Sequence, residues 1–430
     1  MKIGIKILGC PKNTADCEIL AAVLKRRGHE IVESAEEADL VIIDTCTFIE
    51  DAKRESIDTI LDFVYYKKSK KDLKIAVKGC MVQRYYNELK KEIPEVDTWI
   101  GVAPPNVVAD AIGDLRDRVF NPNPVYENHE HLNLEKTPYS YVKIADGCDR
   151  NCTFCTIPSF KGRYKSRTKE SIIKEVGNLV SNGKKEIVLV SQDSTAYGKD
   201  IYENYEVTDL LRDISRIPGD FWIRLMYIHP DYISEKLINT ILDTEKVVPY
   251  FEIPVQHASD KILRRMGRLR RRRELENIFK TIRDLSGEAT IRTTVMVGFP
   301  GESEEDFQQL LDFLETVHPD RMGVFLYSNE EGTVAYTFRD KVDIEIARER
   351  QEIVTALSWD LMLLSNERWI GKKIRVLTEE DSGEVVGRSW MDAPEIDGFV
   401  ELDRKVDPGK FVEVKVEGAN DCCLEGRIIG

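Results

Sequence analysis

The sequence feature that most limits the fold is a regular alternation of short apolar runs with amphipathic helical segments. Within the first 120 residues the alternation occurs three times, with strands predicted at 3–8, 40–44 and 73–77. Helices are predicted after them at 14–27, 50–66 and 82–92. Because parallel strands need a crossover connection, which a helix usually supplies, we predict an α/β fold. Its first domain, residues 1–120, should be a parallel sheet covered by helices.

A connector at residues 121–137, rich in proline and polar residues, separates this domain from a longer run of the same alternation. Over residues 138–366, strands are predicted at 141–145, 186–190, 222–226, 250–255, 290–297 and 321–327. The intervening helices are predicted at 169–181, 208–214, 233–242, 273–285 and 304–317. Six such units predict a barrel or partial barrel, with function in the loops after the carboxyl ends of the strands. In the connector, His129 and His131 are expected to be exposed, and metal binding is the less favoured alternative.

The last segment, residues 369–430, changes to short strands separated by turns, at 373–377, 384–389, 399–402, 411–416 and 426–429. This spacing predicts a small antiparallel β-barrel. Residues 371–430 contain nine Lys and Arg against fourteen Asp and Glu, and the whole chain has a net charge of −14. An acidic barrel repels phosphates and attracts basic proteins, so we expect Asp392, Glu395 and Asp397 to face a basic protein partner.

The number and setting of the cysteines bear on the compartment. Nine cysteines, an odd number in a chain of 430 residues, do not suggest a disulfide framework. The chain begins with an alternating strand instead of a signal peptide, and no apolar run reaches membrane-spanning length. We therefore expect a cytoplasmic protein with reduced thiols. The arginine run at residues 264–273 is interpreted as a solvated helix entrance, with contact to RNA phosphates as the alternative.

Three cysteines follow the first strand of the central domain in C-x3-C-x2-C spacing: Cys148, Cys152 and Cys155. Gly147 ends the strand directly before them, so the thiols share one tight loop. Soft thiolates this close favour a metal, and three without a fourth ligand suit an iron–sulfur cluster with one open iron. Zinc, which needs a fourth ligand, and three buried structural cysteines are the alternatives.

Each predicted strand of the first domain also ends near a cysteine, namely Cys10, Cys46 and Cys80. The carboxyl ends of parallel strands meet at one edge of a sheet, where ligands bind in open α/β folds. These three thiols are therefore predicted to converge although they stand about 35 residues apart. Three ordinary strand-end cysteines are the alternative.

The central loop resembles the signature of the radical S-adenosylmethionine (radical SAM) enzymes, including Phe154 directly before the last cysteine. Flanking residues 156–159 and 162–167 resemble the methylthiotransferase branch of that family. The resemblance implies that Cys148, Cys152 and Cys155 bind a 4Fe–4S cluster whose open iron is chelated by SAM. It also implies an open six-unit barrel.

The cysteine blocks of the first domain are Cys10-Pro11-Lys12-Asn13, residues 44–49 and Gly79-Cys80. They resemble the three cysteine blocks of the methylthiotransferase N-terminal domain. The resemblance implies a second, auxiliary 4Fe–4S cluster held by Cys10, Cys46 and Cys80. The chain departs from the family at Asp44, where asparagine is usual, at Thr47, where glycine is usual, and at Cys17, where serine is usual. We interpret Cys17, and the vicinal pair Cys422 and Cys423, as structural.

Polar and glycine residues follow the other strands of the central domain, where loops of the family cradle SAM. The resemblance makes Phe154, Gln192, Gln256 and the backbone of Val297 and Gly298 the candidate SAM-binding residues. Two further residues in these loops, His229 and His257, have either a direct role or a hydrogen-bonded place in the barrel mouth.

The C-terminal segment resembles a TRAM domain, and residues 387–398 together with the Cys10 block resemble the branch that modifies a ribosomal protein. That resemblance implies methylthiolation of the β-carbon of an aspartate in small-subunit ribosomal protein twelve. It implies two clusters, SAM, and an electron donor such as flavodoxin or ferredoxin. The alternatives are a tRNA adenosine methylthiotransferase and, more remotely, a non-catalytic iron–sulfur electron carrier.

Overall fold

The computed structural model describes residues 1–119, 130–134, 136–381 and 383–429. Its strands are β1 (Lys2–Ile7), β2 (Glu30–Val32), β3 (Leu40–Thr45), β4 (Lys74–Gly79), β5 (Thr98–Ile100), β6 (Tyr139–Lys143), β7 (Ala145–Asp146), β8 (Lys165–Ser166), β9 (Glu186–Val190), β10 (Trp222–Leu225), β11 (Tyr250–Glu252), β12 (Thr290–Val297), β13 (Arg321–Leu326), β14 (Lys373–Asp381), β15 (Glu384–Ser389), β16 (Phe399–Leu402), β17 (Phe411–Ala419) and β18 (Cys423–Ile428). Its helices are α1 (Pro11–Arg26), α2 (Glu50–Lys67), α3 (Cys80–Glu92), α4 (Pro105–Asp114), α5 (Ile157–Lys161), α6 (Lys169–Ser181), α7 (Val207–Ser215), α8 (Glu235–Asp243), α9 (Asp260–Arg265), α10 (Arg272–Leu285), α11 (Glu304–Val317) and α12 (Ile344–Glu367).

The first domain is a five-stranded parallel sheet with the order β2-β1-β3-β4-β5. Every residue of the central strand β3 is buried, as expected for a strand covered by helices on both faces. The predicted α/β class is confirmed. The edge strands β2 and β5 were not predicted, because a strand of three residues is too short to show an alternating pattern. Helix α4 was not predicted either.

The central domain is built from two three-stranded parallel sheets, β6-β9-β10 and β11-β12-β13. The sheets are linked where the Val248 amide donates to the Ile223 carbonyl, at 2.9 Å. Among the described strands β6 and β13 do not pair, so the six-unit barrel is open as the resemblance implied. Helix α12, 24 residues long, packs beside β13 and was not predicted. Its apolar residues are divided between buried positions and exposed ones such as Trp359 and Leu364, which hides the helical period.

The C-terminal barrel, β14 to β18, closes in the order β14-β15-β16-β18-β17. Its core contains Val376, Val400, Val414 and Leu424. The predicted small β-barrel is confirmed with one difference, since β16 and β18 pair in parallel while the other pairs are antiparallel. The helices of the described residues include none that combines the length and apolarity needed to cross a membrane.

The C-terminal barrel packs against the amino ends of the central strands through buried ion pairs. Glu186, the first residue of β9, lies 2.6 Å from the Arg388 guanidinium and 2.7 Å from that of Arg224. Arg321, the first residue of β13, pairs with Asp392 at 2.7 Å. The barrel therefore closes the end of the central domain opposite to the loops that follow the strand carboxyl ends.

The expectation that three acids of this barrel face a partner is wrong for Asp392 and Asp397, whose side chains are buried, while Glu395 is exposed. Asp392 pairs with Arg321, and Asp397 pairs with Arg292 at 3.0 Å and accepts from the Tyr250 hydroxyl at 2.6 Å. Glu395 accepts from the hydroxyls of Tyr139 and Tyr141 at 2.7 and 3.1 Å. The negative charge of these side chains is neutralised or hydrogen-bonded inside the chain, which sequence composition cannot reveal.

His131, in the connector, is buried instead of exposed. Its Nδ1 lies 3.1 Å from Glu18 on α1, and its Nε2 lies 2.9 Å from Glu175 on α6. Burial lowers the pKa of His131, but the two carboxylates outweigh it and raise that pKa to about 9. A protonated His131 therefore joins the first domain to the central one. His129 lies outside the described residues.

Candidate functional site

The structure brings Cys10, Cys46 and Cys80, here called the N-terminal triad, to one edge of the first sheet. They follow β1, β3 and β4, which are neighbours in register, with Ile7 opposite Asp44 and Thr45 opposite Gly79. Gly9 has a φ of +95°, and a Cβ there would lie 2.8 Å from the Cys46 Cβ. The close approach of the first and second cysteine loops therefore requires a glycine.

The three thiols of the N-terminal triad lie close enough together to shift one another's pKa values. Burial raises the pKa of Cys80 to about 12, and the Cys10 and Cys46 thiols raise it further while Lys161 opposes them. Burial, with Cys10, also raises the pKa of Cys46 to about 11. The predicted convergence of the strand-end thiols is therefore present in the fold.

The central triad, Cys148, Cys152 and Cys155, lies in the loop after β7. The Cys155 amide donates to the Cys152 carbonyl at 3.1 Å, which tightens the loop. Burial raises the pKa of Cys148 to about 11 and that of Cys155 to about 12, and the neighbouring thiols add to both. Bound iron must therefore displace thiol protons at both triads, which makes cluster binding depend on pH.

Helix α5 connects the two triads. It begins two residues after Cys155, and its Ile157 and Phe160 pack around Cys80. Lys161 ends the helix, is buried, and lies 3.7 Å from the Asp146 carboxylate. Two thiol groups that are 68 residues apart at their closest in sequence (Cys80 and Cys148) are thus linked by the contacts of one short helix.

The donor set suits clusters better than single ions. All six cysteines are free. Within the part of the chain that the structure describes, no three His, Cys, Asp or Glu side chains form a group that could hold a single metal ion. In a cluster each thiolate binds a different iron, so three thiols can be spaced more widely than around one ion. Three soft sulfur donors per site therefore fit a 4Fe–4S cluster.

Cys17 belongs to a separate buried polar group. Its Sγ donates to the Asp44 carboxylate at 3.2 Å, and Asp44 pairs with Lys78 at 2.6 Å. Burial, and then Asp44, raise the pKa of Cys17 well above its usual value. Two departures from the family pattern, Asp44 and Cys17, thus contact each other, which supports a structural role for Cys17.

The vicinal cysteines lie at the start of β18, in the C-terminal barrel. The Asn420 side-chain Nδ2 donates to the Cys423 Sγ at 3.0 Å, and the Cys422 thiol donates to the Asn420 side-chain Oδ1 at 3.2 Å. Cys422 is exposed and Cys423 is buried. Both are engaged locally by one asparagine.

Two of the candidate SAM-binding residues have features that suit a ligand. The Gln192 amide donates to Asp146 at 3.0 Å, while its Oε1 is buried and has no hydrogen-bond partner among the described residues. Gln256, four residues after the end of β11, has a left-handed conformation with a φ of +72°. Strained residues of this kind cluster at functional sites. Phe154 packs against an apolar cluster that includes Met266 and Phe299.

The backbone of Val297 and Gly298 is already used inside the protein. The Val297 carbonyl accepts from the Tyr327 amide at 2.9 Å, and the Gly298 amide donates to Glu302 at 3.0 Å. A Cβ on Gly298 would lie 2.6 Å from the Cβ of Ala347 on α12. The need for glycine is therefore explained by helix α12.

Both histidines of the barrel mouth are hydrogen-bonded within the chain. His257 accepts from the amides of Ala258 and Ser259 through Nδ1, at 2.9 Å each. His229 accepts from the Arg268 guanidinium through Nε2 at 2.5 Å, which leaves the ring proton on Nδ1, 3.3 Å from the Asp231 amide nitrogen. Burial, and then Arg268 and Arg150, lower the pKa of His229 to about 2, so this imidazole is neutral.

Sequence reasoning missed Lys12 and Tyr227. The Lys12 Nζ lies 3.8 Å from the centre of the Tyr227 ring, which brings the first turn of α1 onto the mouth of the central domain. Tyr227 follows β10 with a φ of +61°. In the sequence, Lys12 was noted only as part of the Cys10 block that resembles the family. No sequence pattern indicates that its ammonium group is buried.

The chain matches three family descriptions along its length. Residues 2–101 match the uncharacterized protein family UPF0004, residues 142–314 match the Radical SAM superfamily, and residues 370–429 match the TRAM domain. Together these segments cover the N-terminal sheet, most of the central domain and the C-terminal barrel.

Proteins named ribosomal protein uS12 methylthiotransferase RimO are similar to the chain over its whole length. The protein of Thermotoga maritima is 51% identical, with 100% of both chains covered. That of Petrotoga mobilis is 44% identical, with 100% of this chain and 99% of the relative covered. Among solved structures, the radical S-adenosylmethionine methyltransferase TsrM of Kitasatospora setae superposes with a TM-score of 0.56 at 14% identity. The superposition covers 76% of this chain and 74% of that chain, and it supports the fold alone.

Proposed function

Since the chain belongs to the RimO family of radical SAM methylthiotransferases, we propose that it attaches a methylthio group to the β-carbon of one aspartate of ribosomal protein uS12. The observation that carries the proposal is that α5 begins two residues after the central triad and packs against Cys80 of the N-terminal triad. Two thiol triads linked in this way, on a partial barrel with a separate C-terminal barrel, are more than an electron carrier needs.

The target carbon explains why this enzyme needs such cofactors. The β-carbon of an aspartate is unactivated, and no side-chain base removes its proton at neutral pH. When bound, the clusters and two SAM molecules supply a 5′-deoxyadenosyl radical for hydrogen abstraction and a methylated sulfur for transfer. This chemistry requires no general base from the protein, and we assign none.

The residues have distinct roles in this proposal. The central triad holds the cluster that binds SAM, and the N-terminal triad holds the auxiliary cluster. The unpartnered Gln192 Oε1 is the polar atom best placed to bind SAM, with Phe154 and Gln256 as further contacts. The backbone of Val297 and Gly298 is a weaker candidate, since its amide and carbonyl are already bonded. Cys80 and Cys148 are buried, which shields these two thiols from solvent.

The arginine run does not favour a tRNA substrate. Arg268 donates to His229 and to the Pro254 carbonyl, and Arg270 donates to the Ile233 carbonyl. Arg272 pairs with Glu276 at 2.7 Å. Several of the guanidinium groups thus bind the protein itself, in contrast to an exposed surface for phosphates. We propose flavodoxin or ferredoxin as the electron donor, and the cytoplasm as the compartment.

The proposal is tested with anaerobically reconstituted enzyme, SAM, dithionite and intact uS12. We expect tandem mass spectrometry to find one methylthiolated aspartate in uS12, and the same reaction with unmodified tRNA to leave the adenosines unchanged. The variant with the central triad replaced by alanine is the control and should produce neither 5′-deoxyadenosine nor modified uS12. Methylthiolation of tRNA with unmodified uS12 would contradict the proposal.

A further inference from the structure

Lys12 is a buried cation without a carboxylate partner. It lies in the first turn of α1, and 7% of it is exposed. Its ammonium group faces the Tyr227 ring and donates one long hydrogen bond, 3.5 Å, to the Ser191 carbonyl oxygen. Among the residues that the structure describes, no Asp or Glu forms an ion pair with it. Its positive charge is therefore balanced by no direct ion pair in the described part of the chain, and the Glu252 carboxylate acts on it only at longer range.

Other buried lysines of the same region are paired. Lys78 lies 2.6 Å from Asp44, and Lys143 lies 2.7 Å from Asp16. Burying a charge without a partner reduces the stability of the fold, so such a charge is normally compensated. The exception at Lys12 indicates that an anion from outside the chain completes this site.

The aromatic partner of Lys12 is held in a strained conformation. Tyr227 has a φ of +61°, which is uncommon for a residue with a bulky side chain. Its amide donates to the Glu252 carboxylate at 2.5 Å, and this bond fixes the backbone there. The protein thus maintains a costly backbone geometry that places the ring against the ammonium group.

The surroundings of Lys12 add to its attraction for anions. It stands two residues after Cys10, in the first turn of a 16-residue helix that has no acidic residue in that turn. The amino end of a helix favours negative charge. Lys161, at the end of α5, is buried nearby and pairs with Asp146 at a long distance of 3.7 Å. Both ammonium groups act electrostatically on thiols of the N-terminal triad.

We propose that Lys12 binds the side-chain carboxylate of the substrate aspartate and selects aspartate over asparagine. This inference rests on the proposed function, because the carboxylate is bonded directly to the β-carbon that is modified. An ammonium group that holds the carboxylate also holds that carbon beside the N-terminal triad, where Lys12 follows Cys10 by two residues. The selectivity arises because the ammonium group forms a charge-assisted hydrogen bond with the aspartate carboxylate. The neutral side-chain amide of asparagine can form only a weaker hydrogen bond with it.

The test compares Lys12→Met with the wild type, both as reconstituted full-length protein. Two ligands are used: uS12, and uS12 in which the aspartate modified by the wild type is replaced by asparagine. We expect the wild type to bind the aspartate form about 10- to 100-fold more tightly, the value of a hydrogen bond between charged groups. Lys12→Met should bind both forms with equal, weak affinity, while its iron content and its production of 5′-deoxyadenosine stay at wild-type levels.

A matched control is Lys184→Met, another buried lysine, whose Nζ donates to the carbonyls of Thr137 and Tyr139 at 2.8 and 2.6 Å. This variant should keep the preference for aspartate. The inference is overturned if Lys12→Met keeps that preference and instead loses iron or shifts the potential of one cluster, since Lys12 would then balance the charge of the cluster. If the wild type neither binds nor modifies uS12, the proposed function fails, and the role of Lys12 fails with it.

Discussion

Replacing Glu186 with glutamine should separate the C-terminal barrel from the central domain at much lower denaturant concentrations. Glu186 is fully buried, and its carboxylate contacts the guanidinium groups of both Arg224 and Arg388. Burial alone would raise the pKa of Glu186, but Arg388 and Arg224 outweigh it and hold that pKa below its usual value. Glutamine keeps the shape of the side chain and removes the charge, which leaves Arg224 without a carboxylate and Arg388 with Glu379 alone.

The size of the effect follows from this geometry. Breaking a buried ion pair by removing one partner costs about 3–5 kcal/mol. Urea unfolding can be followed by tryptophan fluorescence, because Trp222 packs against Phe411 and Trp390 packs against Trp369 at this interface. We expect the transition that reports the interface to lose about 3–5 kcal/mol of stability, with unchanged iron content.

A surface pair provides the control for this experiment. Glu417 pairs with Arg427 at the same 2.7 Å, but both side chains are about half exposed, at 49% and 48%. Exposed pairs contribute about 0–1 kcal/mol, so Glu417→Gln should change little. If Glu186→Gln costs no more than Glu417→Gln, buried ion pairs do not hold the C-terminal barrel against the central domain.

Three further predictions concern the clusters and the connector. Reconstituted protein should contain about eight irons, and replacing either triad with alanine should leave about four; full iron content without the N-terminal triad would exclude a cluster there. Cys17→Ser should keep about eight irons and both clusters, and an iron deficit would make Cys17 a ligand. His131 should add stability that is complete below its unfolded pKa near 6.5 and is lost as the pH rises through about 9, because its folded pKa is raised. The melting temperatures of wild type and His131→Asn should therefore differ at pH 6 and converge by pH 10, and a difference independent of pH would contradict this.

The fold was largely predictable where the sequence is periodic. Strands 186–190 and 290–297 and helices 169–181 and 304–317 were predicted at the bounds that the structure shows. The meeting of Cys10, Cys46 and Cys80 was also predictable, because the carboxyl ends of adjacent parallel strands must lie at one edge. The short edge strands and helix α12 could not be predicted, because their apolar residues do not recur with the regular spacing of a strand or a helix.

Contacts between distant segments could not be predicted from the sequence. Asp392 and Asp397 contribute to the net negative charge counted for the C-terminal barrel. In the fold, however, they form ion pairs with Arg321 and Arg292 of the central domain. His131 stands in a polar connector and is buried between two helices. Lys12 is likewise an ordinary lysine in sequence. What each charge does depends on partners more than 40 residues away, which local patterns do not encode.

The most direct test of the central claim is mass spectrometry of uS12 and of tRNA from cells that lack this gene. The account predicts that the methylthio group on one aspartate of uS12 disappears and that methylthiolated adenosines in tRNA stay at wild-type levels. Restoring the gene should restore the modification, and restoring it without the N-terminal triad should not. An unchanged uS12 together with a loss of methylthioadenosine from tRNA would contradict the account.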